Sequence, residues 1–151
     1  MANHVQNVLL VEGQATQAVR KYVQRPENLF DFTTILPLSN ASLEEKIRCW
    51  GTKENAMGAV FHKEDGSFSF QTLNAPPLPV IEQLSKKFPN CTFTLRWADE
   101  GGGICGEAAY RNGYEQYSLY PADGTRWQEE LYELCWGQPM YIEGVNQPCK
   151  N

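Results

Sequence analysis

Residues 67–97 read "SFSFQTLNAPPLPVIEQLSKKFPNCTFTLRW", and three successive patterns in this stretch decide the fold. The opening "SFSFQTL" predicts a strand, because Phe68, Phe70 and Thr72 then share one face. The prolines that follow suit a helix entry, and apolar residues recur on one helical side until Pro89 ends the helix. The closing "CTFTLRW" alternates again, so the stretch predicts a strand, a helix and a second strand.

The second strand has two different faces. Its apolar residues are expected to face the core, and its Thr and Arg residues are expected to face water, as on a sheet with one solvated side. The inward set is Cys91, Phe93, Leu95 and Trp97, and the outward set is Thr92, Thr94 and Arg96.

The segments before this stretch supply the other half of a sheet. "VQNVLLV" at residues 5–11 is apolar and β-branched, which predicts a central strand, and residues 14–26 have helical spacing up to a proline. Residues 29–56 are irregular, with one short helix expected after the cap Ser42. Two strands then flank an Asp-Gly turn in residues 57–73, which predicts a hairpin.

Two further elements follow the stretch. Residues 104–120 predict a second hairpin turned by Asn-Gly, the strongest short hairpin signal. Residues 125–136 predict a helix, because Thr125 and Gln128 form a capping box and a glycine follows the last turn. The apolar stripe expected on this helix consists of Trp127, Leu131, Leu134 and Cys135.

This order of elements predicts an α+β fold. It is a ferredoxin-like split βαβ arrangement with an antiparallel sheet, extended by the C-terminal β-hairpin and an added helix. At 151 residues the chain has room for one domain, expected at residues 1–137, with residues 138–151 as a tail.

Composition and charge restrict the partners and the compartment. The net charge of -5 opposes approach to phosphate backbones, so nucleic acid is a disfavoured partner. The five cysteines are odd in number and lack metal-ligand spacing, so we expect reduced thiols in the cytoplasm, no metal and no cofactor. The sequence shows neither a signal peptide nor an apolar run long enough to cross a membrane.

Several motifs resemble a known family. "CWGTKENA" at residues 49–56, the pair Pro76-Pro77 opening a helix, and the strand that leads into a glycine turn with Gly106 beyond it resemble the DUF1281 or Api92-like family with its YubB-type ferredoxin-like domain. The resemblance spans most of residues 1–120, and the helix at residues 125–136 looks like an addition. It implies a ferredoxin-like fold and an origin in a phage or other mobile element, and it offers no catalytic residues.

"CWGTKENA" also raises the question of a binding pocket. Trp50 and Lys53 could hold a ligand between a ring face and a cation. The alternative, which we favour, is a tight turn in which Trp50 plugs the core, Gly51 permits the turn and Lys53 is solvated.

An enzyme, a small hydrolase or transferase of unknown substrate that uses Cys105 or the acidic side chains, is the weaker functional hypothesis. Cys105 could act as a nucleophile beside Glu107 or His62, but the sequence shows no evident base and orienting group, which favours an inert buried thiol. The glycine run at residues 101–103 lacks the phosphate-loop patterns and precedes a strand.

We expect instead a non-enzymatic protein-binding module, for example an inhibitor of a host defence or nucleic-acid-handling protein. Tyrosine rings beside a charged rim are typical of recognition surfaces, and the acids would steer a host or competitor protein with a basic surface. The alternative is an RNA- or DNA-binding ferredoxin-like domain, as in RRM proteins, although the RNP pattern is missing. The expected partner-binding residues are Tyr114, Tyr117, Tyr120, Glu129, Glu130 and Glu133. The alternative for the three tyrosines is that they pack the helix at residues 125–136 onto the sheet.

Overall fold

The structure is a computed structural model that describes residues 3–141 of the 151-residue chain. Most of the expected tail, residues 142–151, lies outside the described part. The elements in chain order are β1 (His4–Glu12), α1 (Thr16–Val23), α2 (Phe32–Ile35), α3 (Leu43–Trp50), β2 (Met57–His62), β3 (Ser67–Leu73), α4 (Leu78–Lys87), β4 (Thr92–Asp99), β5 (Cys105–Arg111), β6 (Tyr114–Leu119) and α5 (Arg126–Trp136).

The six strands form one sheet in the order β2-β3-β1-β4-β5-β6, and each neighbouring pair is antiparallel. The first four strands have the ferredoxin-like order, and the second hairpin extends the sheet beyond β4. The predicted fold class is therefore confirmed. Strand β1 lies inside the sheet between β3 and β4, as its apolar run predicted.

One side of the sheet, here called the core face, carries the main hydrophobic core. It is defined by the buried side chains Val5, Leu9, Phe70, Phe93 and Leu95. Helices α1 and α4 pack on it through buried aliphatic residues in the same cluster. The short helix α2 was not predicted, because four residues are too few to show a helical period.

The opposite side, here called the second face, is not simply solvated. Helix α5 packs on it, and Leu131, Tyr132 and Cys135 form a second cluster with Ala98 of β4 and Cys105 of β5. The prediction that β4 has one wet face was wrong over this part of the strand, because a helix covers it.

Two of the four residues predicted for the buried apolar stripe of α5 are buried. Leu131 and Cys135 are buried, but Trp127 is 40% and Leu134 is 59% exposed. Their places on the sheet are taken by Gln128 and Tyr132, which are buried. Gln128 reaches the sheet end because its amide donates to the carbonyl of Gly102, at 2.7 Å. The predicted N-cap at Thr125 and C-cap at Gly137 are confirmed.

Gly106 sets the contact between β4 and the second hairpin. It lies opposite Trp97 in the β4–β5 ladder, and a Cβ atom at residue 106 would overlap the Trp97 ring and lie 2.9 Å from the carbonyl oxygen of Leu119. The bare backbone therefore lets the indole lie flat on β5. The Tyr120 ring meets the same indole edge-to-face, with centroids 5.9 Å apart.

We predict that Gly106→Ala destabilises the fold by about 1 to 3 kcal/mol, as overpacking of a filled core does. Urea denaturation measures the effect. Gly103→Ala is the matched control, since no atom lies within 4 Å of its added Cβ. Equal stability of the two variants would contradict this account of Trp97 packing.

Candidate functional site

Trp50 lies at the last position of α3 and its side chain enters the core. It is 4% exposed, and its ring meets Phe32 edge-to-face with centroids 5.6 Å apart. The indole nitrogen donates a hydrogen bond to the carbonyl of Leu36, at 2.9 Å. Gly51 then ends the helix with a φ of 79°, a left-handed conformation that suits glycine. The burial predicted for Trp50 is confirmed.

Asn55, near the end of the same motif, ties this turn to the loop before α2. Its side-chain oxygen accepts from the backbone N–H of Phe32, and its amide donates to the carboxylate of Asp31. Burial alone would raise the pKa of Asp31, but hydrogen bonds from Thr33 and Asn55 and the charge of Arg25 lower it below the ordinary value. Residues 49–56 therefore have a structural role: their side chains connect the end of α3 to α2 and the loop before it.

Lys53 does not share a pocket with the Trp50 ring. It lines a shallow cavity of about 110 Å³ whose other walls come from Ile47, Gly51 and the end of β3. Trp50 is absent from that lining, since its ring points to the core. The geometry therefore favours the turn with an aromatic plug over the ligand pocket.

Cys105 is placed where a nucleophile would be hard to activate. It is buried beneath α5, and this burial, followed by the charges of Asp99 and Asp123, raises the pKa of its thiol. His62 is on β2, four strands away, at a distance of about 19 Å for spacings of about 4.8 Å. Glu107 is engaged with Arg96 in an ion pair. The structure thus brings neither suggested partner to the thiol in a catalytic arrangement.

A β-bulge in β6 determines which face of the sheet Tyr114 and Tyr117 occupy. The ladder pairs Tyr117 with Ala109 and Tyr114 with Arg111, and its register shifts between them. Because Ala109 and Arg111 are two residues apart on β5, both tyrosines lie on the second face despite their odd spacing. Tyr114 is 72% exposed. The Tyr120 ring, 63% exposed, instead contacts Trp97 from the core-face side.

Tyr117 is held by a polar network next to α5. Its hydroxyl donates to Oε2 of Glu107 at 2.9 Å, and Oε1 of Glu107 accepts from Arg96. Burial, followed by this carboxylate, raises the pKa of Tyr117, so the hydroxyl remains a donor. The ring is therefore fixed in orientation on the second face.

The outer side of α5 combines acids with apolar side chains. Glu130 and Glu133 are exposed and Glu129 is half-buried. Trp127 and Leu134 lie among them with large exposed fractions. The structure thus places the three glutamates, Tyr114 and Tyr117 on the same side of the sheet. Trp127 and Leu134 were not predicted as surface residues, because their spacing fits the buried stripe.

A cleft of about 370 Å³ separates the C-terminal end of α5 from the β2–β3 hairpin. Its floor is the second face of β1 and β3, and its walls are the last turn of α5 and the hairpin turn. In the cleft, Nε2 of His62 lies 2.8 Å from the hydroxyl oxygen of Ser69. The lining consists of Val8, His62, Glu64, Asp65, Ser67, Ser69, Leu134, Cys135, Trp136 and Gly137.

The described residues, 3–141, contain neither a metal-binding cluster nor a membrane-spanning helix. No group of three or more His, Cys, Asp and Glu side chains there is arranged to hold a metal ion. Within the same range, none of the helices combines the length and the apolar character needed to cross a bilayer.

This chain is similar to known proteins both in sequence and in fold. A family model described as "Ferredoxin-like domain in Api92-like protein" matches residues 50–136. A solved structure, protein api92 from Yersinia pseudotuberculosis of the DUF1281 family, is similar with a TM-score of 0.51 and 18% identity. The alignment covers 65% of this chain and 42% of that one, so this chain spans less than half of that relative. A comparison with curated proteins gives no significant match.

The family match differs in extent from the resemblance noted in the sequence. It begins at Trp50 and runs through α5. Helix α5 is therefore part of the family's domain, and the view of it as an addition to the family pattern was wrong.

We predict that Trp50→Ala lowers the free energy of unfolding by about 3 to 5 kcal/mol, since it removes a buried aromatic side chain. Trp127→Ala, at a 40% exposed position of α5, is the control and costs about 1 kcal/mol or less. Chemical denaturation followed by circular dichroism compares them. A Trp50 variant with unchanged stability and a lost ligand would restore the pocket hypothesis.

Proposed function

Since the chain belongs to the Api92-like family of ferredoxin-like domains, we propose that it is a non-enzymatic module that binds a protein with a basic surface. The observation that carries the proposal is the position of α5 on the second face of the sheet. This helix presents exposed apolar side chains among carboxylates, where many ferredoxin-like domains have an open sheet.

The same placement weakens the nucleic-acid alternative. RRM domains stack bases on aromatic rings of an open sheet face. Here α5 lies over β4, β1 and β5 on that face, and Arg96 is already paired with Glu107. Tyr114 pairs with Arg111 at the edge of the sheet, and Tyr117 lies on the same face, an arrangement that favours a nucleic-acid ligand.

Charge supports a basic protein partner. The chain carries a net charge of -5. Helix α5 contains three glutamates and one basic residue, Arg126, which pairs with Glu130 at 3.0 Å. An acidic rim raises the association rate with a basic surface, and exposed Trp and Leu side chains supply apolar area that is buried on contact.

The biological setting follows from the family resemblance and is part of the proposal. A phage or other mobile element would use such a module in the host cytoplasm to cover the basic groove of a defence nuclease or of another nucleic-acid-handling protein. A small acidic domain is suited to this inhibitor role because it competes with phosphates for the same cationic side chains.

We predict that the triple change Glu129→Gln, Glu130→Gln and Glu133→Gln reduces recovery of the partner from a host lysate at least about fivefold, since rim charges steer association. Affinity capture with quantitative mass spectrometry measures this. The control is Glu12→Gln, Glu27→Gln and Glu44→Gln, which makes the same change in net charge at exposed positions away from α5.

Three outcomes decide the proposal. Loss of the partner with the α5 variant and not with the control supports it. An equal effect of both variants would show that partner recovery depends on the net charge of the chain and not on the α5 surface, which would contradict the proposal. Tight, salt-dependent retention of single-stranded or duplex nucleic acid by the wild type in a mobility-shift assay would replace the proposal by the nucleic-acid alternative.

A further inference from the structure

We propose that the cleft between α5 and the β2–β3 hairpin is an arginine-binding site, which takes a single arginine side chain from an extended segment of the partner. The proposal rests on the protein-binding function above and specifies how one residue of the partner is held.

The carboxylates of Glu64 and Asp65 give the cleft a negative rim. None of the lining residues is Lys or Arg. The nearest cation in sequence, Lys63, lines a separate cavity with Arg20 and Phe61. Arg96 lies close enough to Cys135 to influence its thiol, but its guanidinium is paired with Glu107. A cation entering the cleft therefore meets no Lys or Arg among the lining side chains, and the His62 imidazole is positive only when it is protonated.

The end of α5 adds to this negative potential. Residues 134–137 of the last turn and C-cap line the cleft. A helix C-terminus carries a partial negative charge, which natural sequences often offset with Lys or Arg. Helix α5 has no basic residue in its last turn. A cation supplied by a partner would therefore offset the partial negative charge at this end of the helix.

The polar groups of the cleft are held in place by their own neighbours. Oδ1 of Asp65 accepts from the backbone N–H and the hydroxyl of Ser67, at 2.9 and 2.7 Å. These bonds lower the pKa of Asp65, which keeps it ionised. The His62 ring is fixed by Ser69. Binding a cation here needs little reordering of side chains, which favours affinity.

The apolar walls suit an arginine in particular. Leu134 and Val8 can cover the methylene stem, and the Trp136 indole is held by donation to the carbonyl of Ala98 at 2.9 Å. A guanidinium group is planar, pairs with carboxylates in a fork and stacks on tryptophan, whereas an ammonium group is more strongly hydrated. The combination of ring, carboxylates and aliphatic wall therefore favours arginine over lysine.

The test uses small probes, so that it is independent of the unidentified partner. ¹⁵N-labelled protein is titrated with N-acetyl-arginine methylamide, with the uncharged isostere N-acetyl-citrulline methylamide and with N-acetyl-lysine methylamide. We expect saturable shifts of the amide signals of Ser67, Ser69 and residues 134–137 with the arginine probe, and at least about fivefold weaker binding of the other two.

The variant Glu64→Gln with Asp65→Asn should weaken arginine binding about fivefold while the amide spectrum elsewhere is unchanged. The asparagine introduced by this change would keep the oxygen that accepts from Ser67. The control Glu27→Gln with Glu44→Gln removes two exposed carboxylates outside the cleft lining and should leave binding unaltered.

Equal binding of arginine and citrulline, equal binding of arginine and lysine, shifts outside the cleft, or no saturable shift would each overturn the assignment. Failure of the cleft alone leaves the function proposed for α5 standing if the lysate experiment recovers a partner. Conversely, if the arginine probe binds the cleft but the lysate experiment recovers no partner, the arginine site is supported and the proposed protein-binding function is contradicted.

Discussion

The contact between α5 and β4 is the interaction on which the rest of the molecule's surface depends. Strand β4 is buried on both faces, by the main core on one side and by α5 on the other. Small side chains at Ala98 and Cys105 let the helix approach the strands. The Trp136 indole donates to the carbonyls of Ala98 and Asp99, and the Tyr132 hydroxyl donates to that of Glu100. These bonds fix the helix at the end of β4 and so define the acidic surface and the cleft.

Local patterns predicted the order of the elements well. Turn chemistry at the two hairpins, the capping residues Ser42 and Thr125 and the strand periodicity all act over a few residues, so each could be interpreted without knowledge of the tertiary structure. The sheet order followed from them by ferredoxin-like connectivity. Helix α2 escaped detection because four residues are too few to show a helical period. Its local cap Asp31 accepts from the N–H of Thr33, and the distant Asn55 accepts from the N–H of Phe32.

The surface was predicted less well because it depends on pairing between distant elements. Nothing local shows that α5 covers Ala98, or that the Tyr117 side chain hydrogen-bonds Thr94, so this face of β4 was expected to be wet although Thr94 is buried. The bulge in β6 could not be foreseen either, and it decides that Tyr114 joins Tyr117 on the second face. Tyr120 follows Tyr117 by three residues and meets Trp97 on the other side, as ordinary strand alternation requires. In α5 a polar residue, Gln128, is buried through its bond to Gly102, whereas Trp127 and Leu134 are displaced to the surface.

The central claim is that α5 covers the second face of the sheet in solution. A methyl-resolved nuclear Overhauser experiment tests it most directly, because Leu131 of α5 belongs to the same buried cluster as Ala98 of β4, and Val8 of β1 packs against that cluster. We predict cross-peaks from the Leu131 methyl groups to both residues, with α5 amides protected from solvent exchange. Absence of these cross-peaks with rapid exchange along α5 would show an open sheet face, and would contradict the account.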